Sequence, residues 1–214
     1  MPRGRFITLE GGEGAGKSTQ ARLLKNTLSK LLSGSLAADG IRVLQTREPG
    51  GAPGAEAIRG VLLGSGPWDG ISECMLHFAA RREHVVRTIR PALEAGIWVV
   101  CDRFVDSTMA YQVFGQGVPR EVFDSLAKMT LEGLTPDLTL MLDIGPEEGL
   151  TRATARGETN RYEALDPDFH ARVRAGFRAI AAAEPARCAV VDATAAPEGV
   201  AAEILRIVRA RLAP

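Results

Sequence analysis

With 214 residues, 45% of them hydrophobic, the chain is long enough to bury one sizeable core, and its 26 basic side chains are balanced by 26 acidic ones. Zero net charge excludes the electrostatic footprint of a protein built for long nucleic acids or anionic membrane surfaces, while leaving room for a local positive cluster around a small phosphorylated ligand. The three cysteines are odd in number, widely spaced and set among apolar residues, so they read as buried thiols, and His77, His84 and His170 add no metal-ligand cluster to them. No room for a signal peptide before the first strand and no apolar run of spanning length lead us to expect a cytoplasmic protein.

The first predicted element is a strand, FITLE at Phe6–Glu10, and it runs straight into GGEGAGKS at Gly11–Ser18. This fits G-x-x-x-x-G-K-[ST], a phosphate-binding loop between a first strand and a first helix. The backbone N–H groups of Gly11, Gly12, Glu13, Gly14, Ala15 and Gly16 converge on one point, and the helix N-terminus, entered through Thr19, adds partial positive charge there. Lys17 supplies a mobile cation for β- and γ-phosphates, and the Ser18 hydroxyl stands where it binds Mg²⁺. Lys17–Leu32 follows as an amphipathic helix with Leu23, Leu24, Leu28, Leu31 and Leu32 on one side. Small residues at Ser33–Gly40 form its exit and end in a Gly cap.

A second strand is predicted at Ile41–Thr46 and ends in Arg47-Glu48-Pro49-Gly50-Gly51. Pro49 and Gly50 prescribe a turn on backbone grounds alone; Arg47, where the strand leaves the sheet, is placed to reach a second, acceptor phosphate. Ile71–Ala95 reads as one long helix with Pro91 near its end. His77, Arg81 and His84 share one face of it, either as a solvated polar stripe or as a ring and an arginine that stack on and bond a nucleobase. The third strand, Ile97–Asp102, delivers Asp102-Arg103: an acid for Mg²⁺ and a bidentate clamp for phosphate, or a local ion pair at a solvated strand end. Helices follow at Arg120–Leu131, Asp166–Ala183 and Pro197–Leu212, with strands at Leu138–Ile144 and Cys188–Ala193. Arg152 and Arg156, one helical turn apart ahead of Gly157 and the polar stretch Glu158–Arg161, suit a lid that closes arginines over phosphates, or a helix end favoured by its own dipole. Strands alternating with helices specify α/β architecture: a five-stranded parallel sheet with helices on both faces, one domain over 1–214. Open parallel sheets bind ligands at the carboxyl ends of their strands, where Arg47, Asp102, Arg103 and Asp143 gather.

Three motifs at these separations, EGGEGAGKST at Glu10–Thr19, TREPGG at Thr46–Gly51 and DRF at Asp102–Phe104 with Tyr111 after it, resemble the bacterial thymidylate kinase family. FAARREHV at Phe78–Val85, PDLTLMLDI at Pro136–Ile144 and RATARGETNRYE at Arg152–Glu163 carry the resemblance over essentially the whole chain. It implies a P-loop kinase fold with a phosphate loop at 11–18, an acceptor region at about 46–112 and a short lid at about 150–163. It further implies a homodimer that uses MgATP to convert dTMP to dTDP. Under it, Glu13 faces the acceptor 3′-hydroxyl or the Mg²⁺ shell, Arg47 and Arg103 bind the acceptor phosphate, and Arg81 bonds the thymine edge. Tyr111 closes off the deoxyribose 2′ position, with Thr108 and Gln112 nearby, and Ser18 and Asp102 attend the metal. The family divides by whether its catalytic arginine sits in the loop or the lid. Gly14 follows Glu13 here, so Arg156, flanked by Arg152 and Arg161, is the implied catalytic arginine. The chain departs at the base-stacking position, usually Phe, where His77 aligns; Phe78 lies one residue on, about 100° round the helix. A nucleotide-dependent switch of the GTPase type would want an N-K-x-D motif, which the sequence lacks.

Overall fold

A computed structural model describes residues 2–33, 42–64, 66–155, 157 and 161–213. Its strands β1 (Phe6–Glu10), β2 (Val43–Arg47), β3 (Trp98–Asp102), β4 (Leu138–Asp143) and β5 (Cys188–Asp192) form one parallel sheet in the order β2-β3-β1-β4-β5. Each strand lies within two residues of the range expected for it; Ile41, the expected start of the second, and the Gly-capped exit after Ser33 fall outside the described residues. Leu9 and Arg47 both register with Asp102, so β1, β2 and β3 end at one edge and discharge Glu10, Arg47 and Asp102 side by side.

Side chains alternate across the sheet. Ile7, Leu9, Val100, Leu138, Leu140 and Leu142 pack on one face against Leu24 and Leu28 of α1 (Lys17–Ser33) and Ile204 and Val208 of α9 (Pro197–Leu212). Phe6, Val99 and Cys101 point the other way, onto Val85, Ile89, Leu93 and Phe104. Met141 meets Tyr111, and also Phe169 and Phe177 of α8 (Pro167–Ala183), on that same side. Burial on both faces is what a parallel sheet with crossover helices requires. The three cysteines are all buried. Among the described residues no helix is long and apolar enough to cross a membrane.

Two departures from the expected helices matter for the site. Pro53–Gly64 is a helix, α2, with Pro53 in its first turn; Gly54, Gly60 and Gly64 hide its periodicity from a pattern reading. The stretch expected as one helix over 71–95 is α3 (Gly70–His84), a wide π-helical turn (Val85–Ile89) and α4 (Arg90–Glu94). Pro91 has no N–H to continue the ladder, and the preceding residue's N–H (Arg90) reaches back five residues to Val85. A second wide turn, Met109–Gly115, extends the short α5 (Val105–Thr108) and carries Tyr111 and Gln112. Helices α6 (Arg120–Leu131) and α7 (Pro146–Thr154) complete the chain order.

Candidate active site

The phosphate loop is built by backbone and glycine packing. At Gly14 φ is +66°, and a Cβ there would stand 1.8 Å from the carbonyl oxygen of Gly149 on α7; in return a Cβ on Gly149 would lie 2.4 Å from the Glu13 carbonyl oxygen. Loop and helix therefore meet glycine against glycine, and no side chain fits at position 14 in this conformation. Lys17, only 7% exposed, donates from Nζ to the Gly12 carbonyl at 2.6 Å. Burial, helped by the neighbouring Arg103 charge, lowers its pKa to about 8. The Ser18 hydroxyl donates to Oδ2 of Asp102, while Oδ1 of that carboxylate is buried and without a partner among the described residues.

Arg103 stands next to it with φ of 68°, in the left-handed region, its N–H tied to the Leu9 carbonyl at 2.9 Å. A non-glycine residue held there costs on the order of 1–3 kcal/mol, and the surrounding bonds must hold it. They are numerous. Its guanidinium donates to Glu13 Oε1 (2.9 Å), the Gly11 carbonyl (3.1 Å), Ser107 Oγ (3.1 Å) and the Tyr111 hydroxyl (3.3 Å), and the Tyr111 hydroxyl itself donates to Glu13 Oε1 at 2.8 Å. Beneath them Glu10, fully buried, accepts from the Phe104 N–H at 2.7 Å and from the Ser107 hydroxyl. Burial, and then the nearby Asp106, pushes its pKa up to about 7. Arg47 is exposed and pairs with Glu56 of α2 at 3.0 Å, while Arg59 of the same helix donates to the Pro49 carbonyl at 2.7 Å.

The far end of the cleft rests on buried acids. Arg81, 2% exposed, gives Nε to Glu48 at 2.7 Å and Nη2 to the Phe104 carbonyl (3.1 Å) and Thr108 Oγ1 (3.0 Å); its Nη1 is buried with no partner among the described residues. Glu48 also meets His84 Nδ1 at 3.0 Å, and Nε2 of that ring meets Thr46 Oγ1 at 2.7 Å. Gln112 gives its Nε2 to Glu73 at 2.8 Å and keeps a buried Oε1 without a partner among the described residues. His77 faces the cleft, 3.1 Å from the Tyr162 hydroxyl, and burial followed by the charges of Arg81, Arg161 and Arg103 lowers its pKa to about 3, so the ring is neutral. Phe78 points instead into the core, 1% exposed, edge-on to Phe123 at 5.3 Å, with Arg81 over its ring at 4.9 Å.

Between the two ends runs a cleft of about 350 Å³. It gathers Glu13, Gly14, Gly16, Lys17, Ser18, Thr19, Arg47, His77, Arg81, Asp102, Arg103, Thr108, Tyr111, Gln112 and Arg152 of the expected site residues. Arg152 is fastened to the carbonyls of Ala193 (2.8 Å) and Thr194 (2.9 Å), beyond the end of β5. Arg156 lies outside the described residues.

The comparisons with known proteins agree over nearly the full chain. The family described as thymidylate kinase matches residues 9–204. The chain belongs to the thymidylate kinase family. Among its relatives, the thymidylate kinase of Rhodopseudomonas palustris (strain TIE-1) is 52% identical over 98% of this chain and 90% of its own. That of Caulobacter vibrioides is 48% identical over 99% of both. The crystal structure of thymidylate kinase from Ehrlichia chaffeensis superposes with a TM-score of 0.79 at 34% identity, covering 97% of this chain and 100% of that one.

Family membership makes the chain a nucleoside monophosphate kinase, a transferase. Sequence reasoning missed five residues that shape its site: Glu10, Glu48, Arg59, Glu73 and Tyr162. Glu10 and Glu48 carried a readable signal, an acid closing a strand that is otherwise apolar or followed by a turn. The partners of Glu73 and Tyr162 come from distant segments, and no local pattern announces them; Arg59 reaches back ten residues to Pro49 from a helix that the pattern reading did not find.

Proposed function

We propose that the protein transfers the γ-phosphoryl group of ATP to dTMP, giving dTDP for the synthesis of DNA precursors, with Mg²⁺ as cofactor. One observation carries this reading. A single cleft holds the phosphate loop with Lys17 and Ser18 together with a second set of arginines, Arg47, Arg81 and Arg103. A switch or a module that only binds a nucleotide has use for the first set and none for the second.

On the donor side, the loop amides and Lys17 hold the β- and γ-phosphates. Phosphate charge at Nζ offsets the desolvation that lowers the Lys17 pKa, so the bound lysine is a full cation. Asp102 and Ser18 fit a magnesium ion, because Oδ1 of Asp102 is a buried acceptor with nothing to accept among the described residues and Mg²⁺ beside nucleotides takes one or two carboxylates plus phosphate oxygens. Bound there, the ion neutralises charge on the phosphates. Arg152, anchored past β5, attends the donor, and Arg156 is the lid arginine that meets the charge developing on the transferred group.

On the acceptor side, Arg47 and Arg103 bind the dTMP phosphate. Glu13 turns to the sugar 3′-hydroxyl or the Mg²⁺ shell, and Tyr111, packed over Arg103, closes the 2′ side against ribonucleotides. Arg81 bonds the thymine edge beside Thr108 and Gln112. His77 lies along the base, since Phe78 is committed to the core. The attacking atom is a phosphate oxygen, so no strong base is needed and the work is positioning and charge neutralisation.

We further propose a cytoplasmic homodimer joined through α3, where Ile71, Met75 and Val86 are exposed on one side of the helix and its wide turn. The enzymatic reading is tested by ADP release from MgATP against dTMP, dUMP, UMP, CMP, GMP and AMP. dTMP should give the highest kcat/KM, with dUMP behind it because a methyl group is worth only about 1–3 kcal/mol. A purine or ribonucleotide preference would overturn it.

A further inference from the structure

Glu73 on α3 is a carboxylate that no step of the transfer uses. It is 0% exposed, yet it takes Gln112 Nε2 at 2.8 Å and Gln116 Nε2 at 3.3 Å, accepts the Tyr162 hydroxyl and pairs with Arg161. A carboxylate only accepts hydrogen bonds, so an amide facing it must present its NH₂ group. The two ends of a glutamine amide are otherwise nearly the same shape, and this contact fixes which way Gln112 points. Its Nε2 is spent on Glu73, and its buried Oε1 is left as an open acceptor among the described residues.

Arg81 is the complement. Glu48, Phe104 and Thr108 engage its Nε and Nη2, and Nη1 is left as an open donor. Both residues line the cleft. A pyrimidine with a carbonyl oxygen beside a ring N–H, as in thymine, offers an acceptor to Arg81 and a donor to Gln112. Cytosine reverses both, setting an amino group against the arginine and a bare ring nitrogen against Oε1. Two buried polar groups would then go unsatisfied, and sites built on hydrogen bonds reject such a mismatch strongly.

We propose that Glu73 is a positioning residue that sets base selectivity: it holds the Gln112 amide oxygen toward the pyrimidine and so refuses cytosine nucleotides. The proposal rests on the reading of this cleft as a pyrimidine monophosphate site. Glu73→Gln tests it, because a glutamine there donates as well as accepts and lets Gln112 turn over. The measurement is kcat/KM by ADP release for dTMP and dCMP, which share sugar and phosphate. The dTMP to dCMP ratio should fall at least tenfold, mainly through KM, with dCMP turnover rising in absolute value. Glu73→Asp keeps an acceptor and should keep the ratio within about threefold. The double variant E73Q/Q112E should restore the ratio, since the amide now on α3 donates to one oxygen of the carboxylate opposite it and the other oxygen faces the base. A merely structural role would lower both substrates by one factor, and an unchanged ratio in E73Q overturns the proposal. Should E73Q fail to fold, hydrogen exchange in the unliganded wild type decides: the Gln112 side-chain NH₂ should be strongly protected, and free exchange contradicts the lock. A wild type that turns over neither dTMP nor dUMP would instead bring down the underlying reading.

Discussion

The two ends of the cleft are built by different means. At the phosphate end the binding groups come from one continuous segment: the loop runs unbroken from Gly11 to Ser18 and Lys17 bonds Gly12 five residues away, while Ser18 and Glu13 are tied across to Asp102 and Arg103 at the end of β3. At the base end the partners are distant in sequence, with Arg81 and Glu48 separated by 33 residues, Gln112 and Glu73 by 39, and Tyr162 and Glu73 by 89. Backbone amides and a helix dipole can be written into a single short segment, because every residue but proline supplies an N–H. Reading a base edge takes side chains of set orientation, and here buried carboxylates set it.

The comparison breaks first at Lys17. Lys17→Ala should lower phosphoryl transfer by roughly 10²–10³-fold or more, as loss of a charge aimed at the transition state does. It should leave the melting temperature unchanged or slightly raised. A lysine whose pKa burial has brought down to about 8 does not stabilise the fold in its charged form. A large fall in Tm would show that the loop depends on that side chain for its shape.

Glu48→Ala should do the reverse. It takes the carboxylate from Arg81, 2% exposed, and the Nδ1 partner from His84, and breaking a buried pair of this kind costs about 3–5 kcal/mol. Thermal unfolding should register a drop of roughly 10 °C, and KM for dTMP should rise sharply. Arg47→Ala sharpens the contrast: its pair with Glu56 is exposed and worth about 0–1 kcal/mol, so stability should hold while dTMP binding weakens. Arg156→Ala should lower kcat more than it raises KM for dTMP. One shared kinetic signature for the two arginines would erase the division into donor and acceptor sides.

Protons give an independent measure of the phosphate end. The folded pKa of Lys17 is about 8 against an ordinary 10.5. The unfolded chain therefore binds more protons between those values, and folding stability should rise with pH across that window. ATP phosphates raise the pKa again, so binding at about pH 9 should take up nearly one proton. Calorimetry in buffers of different ionisation enthalpy reads that uptake directly, and zero uptake would mean that Lys17 is already charged in the free protein.

The smallest expected effect lies at the base. His77→Ala should weaken dTMP binding by about 1–3 kcal/mol, the scale of base stacking on an aromatic ring, and His77→Phe should keep or tighten it. Phe78→Ala should cost about 3–5 kcal/mol of stability through its contact with Phe123, with dTMP affinity little changed in the folded fraction. The opposite pattern would move the stacking role to Phe78.

What was legible in the sequence follows the same division. The strands and the phosphate loop stand out because β-branched runs and a glycine-rich signature are local. Arg47 and Asp102-Arg103 were legible because strand ends in a parallel sheet share one edge. The α2 helix was hidden by its glycines, and the wide turn before Pro91 by a ladder shift that has no compositional mark. Of His77 and Phe78, neighbours of similar shape, only the packing of Phe78 against Cys74, Val118 and Phe123 decides which faces inward. Glu73 looked like an ordinary polar residue of a helix, since nothing nearby in sequence reveals a buried glutamine opposite, whereas Glu48 was marked by its place at a strand end though its partner Arg81 was not.

Calorimetric titration of dTMP, without ATP, into the wild type, Lys17→Ala and Glu48→Ala tests the separation of the two ends most directly. The account predicts dTMP affinity within about threefold of wild type for Lys17→Ala, and at least tenfold weaker for Glu48→Ala, where Arg81 loses the carboxylate that aims it. Equal losses in both variants, or an intact affinity in Glu48→Ala, would contradict it.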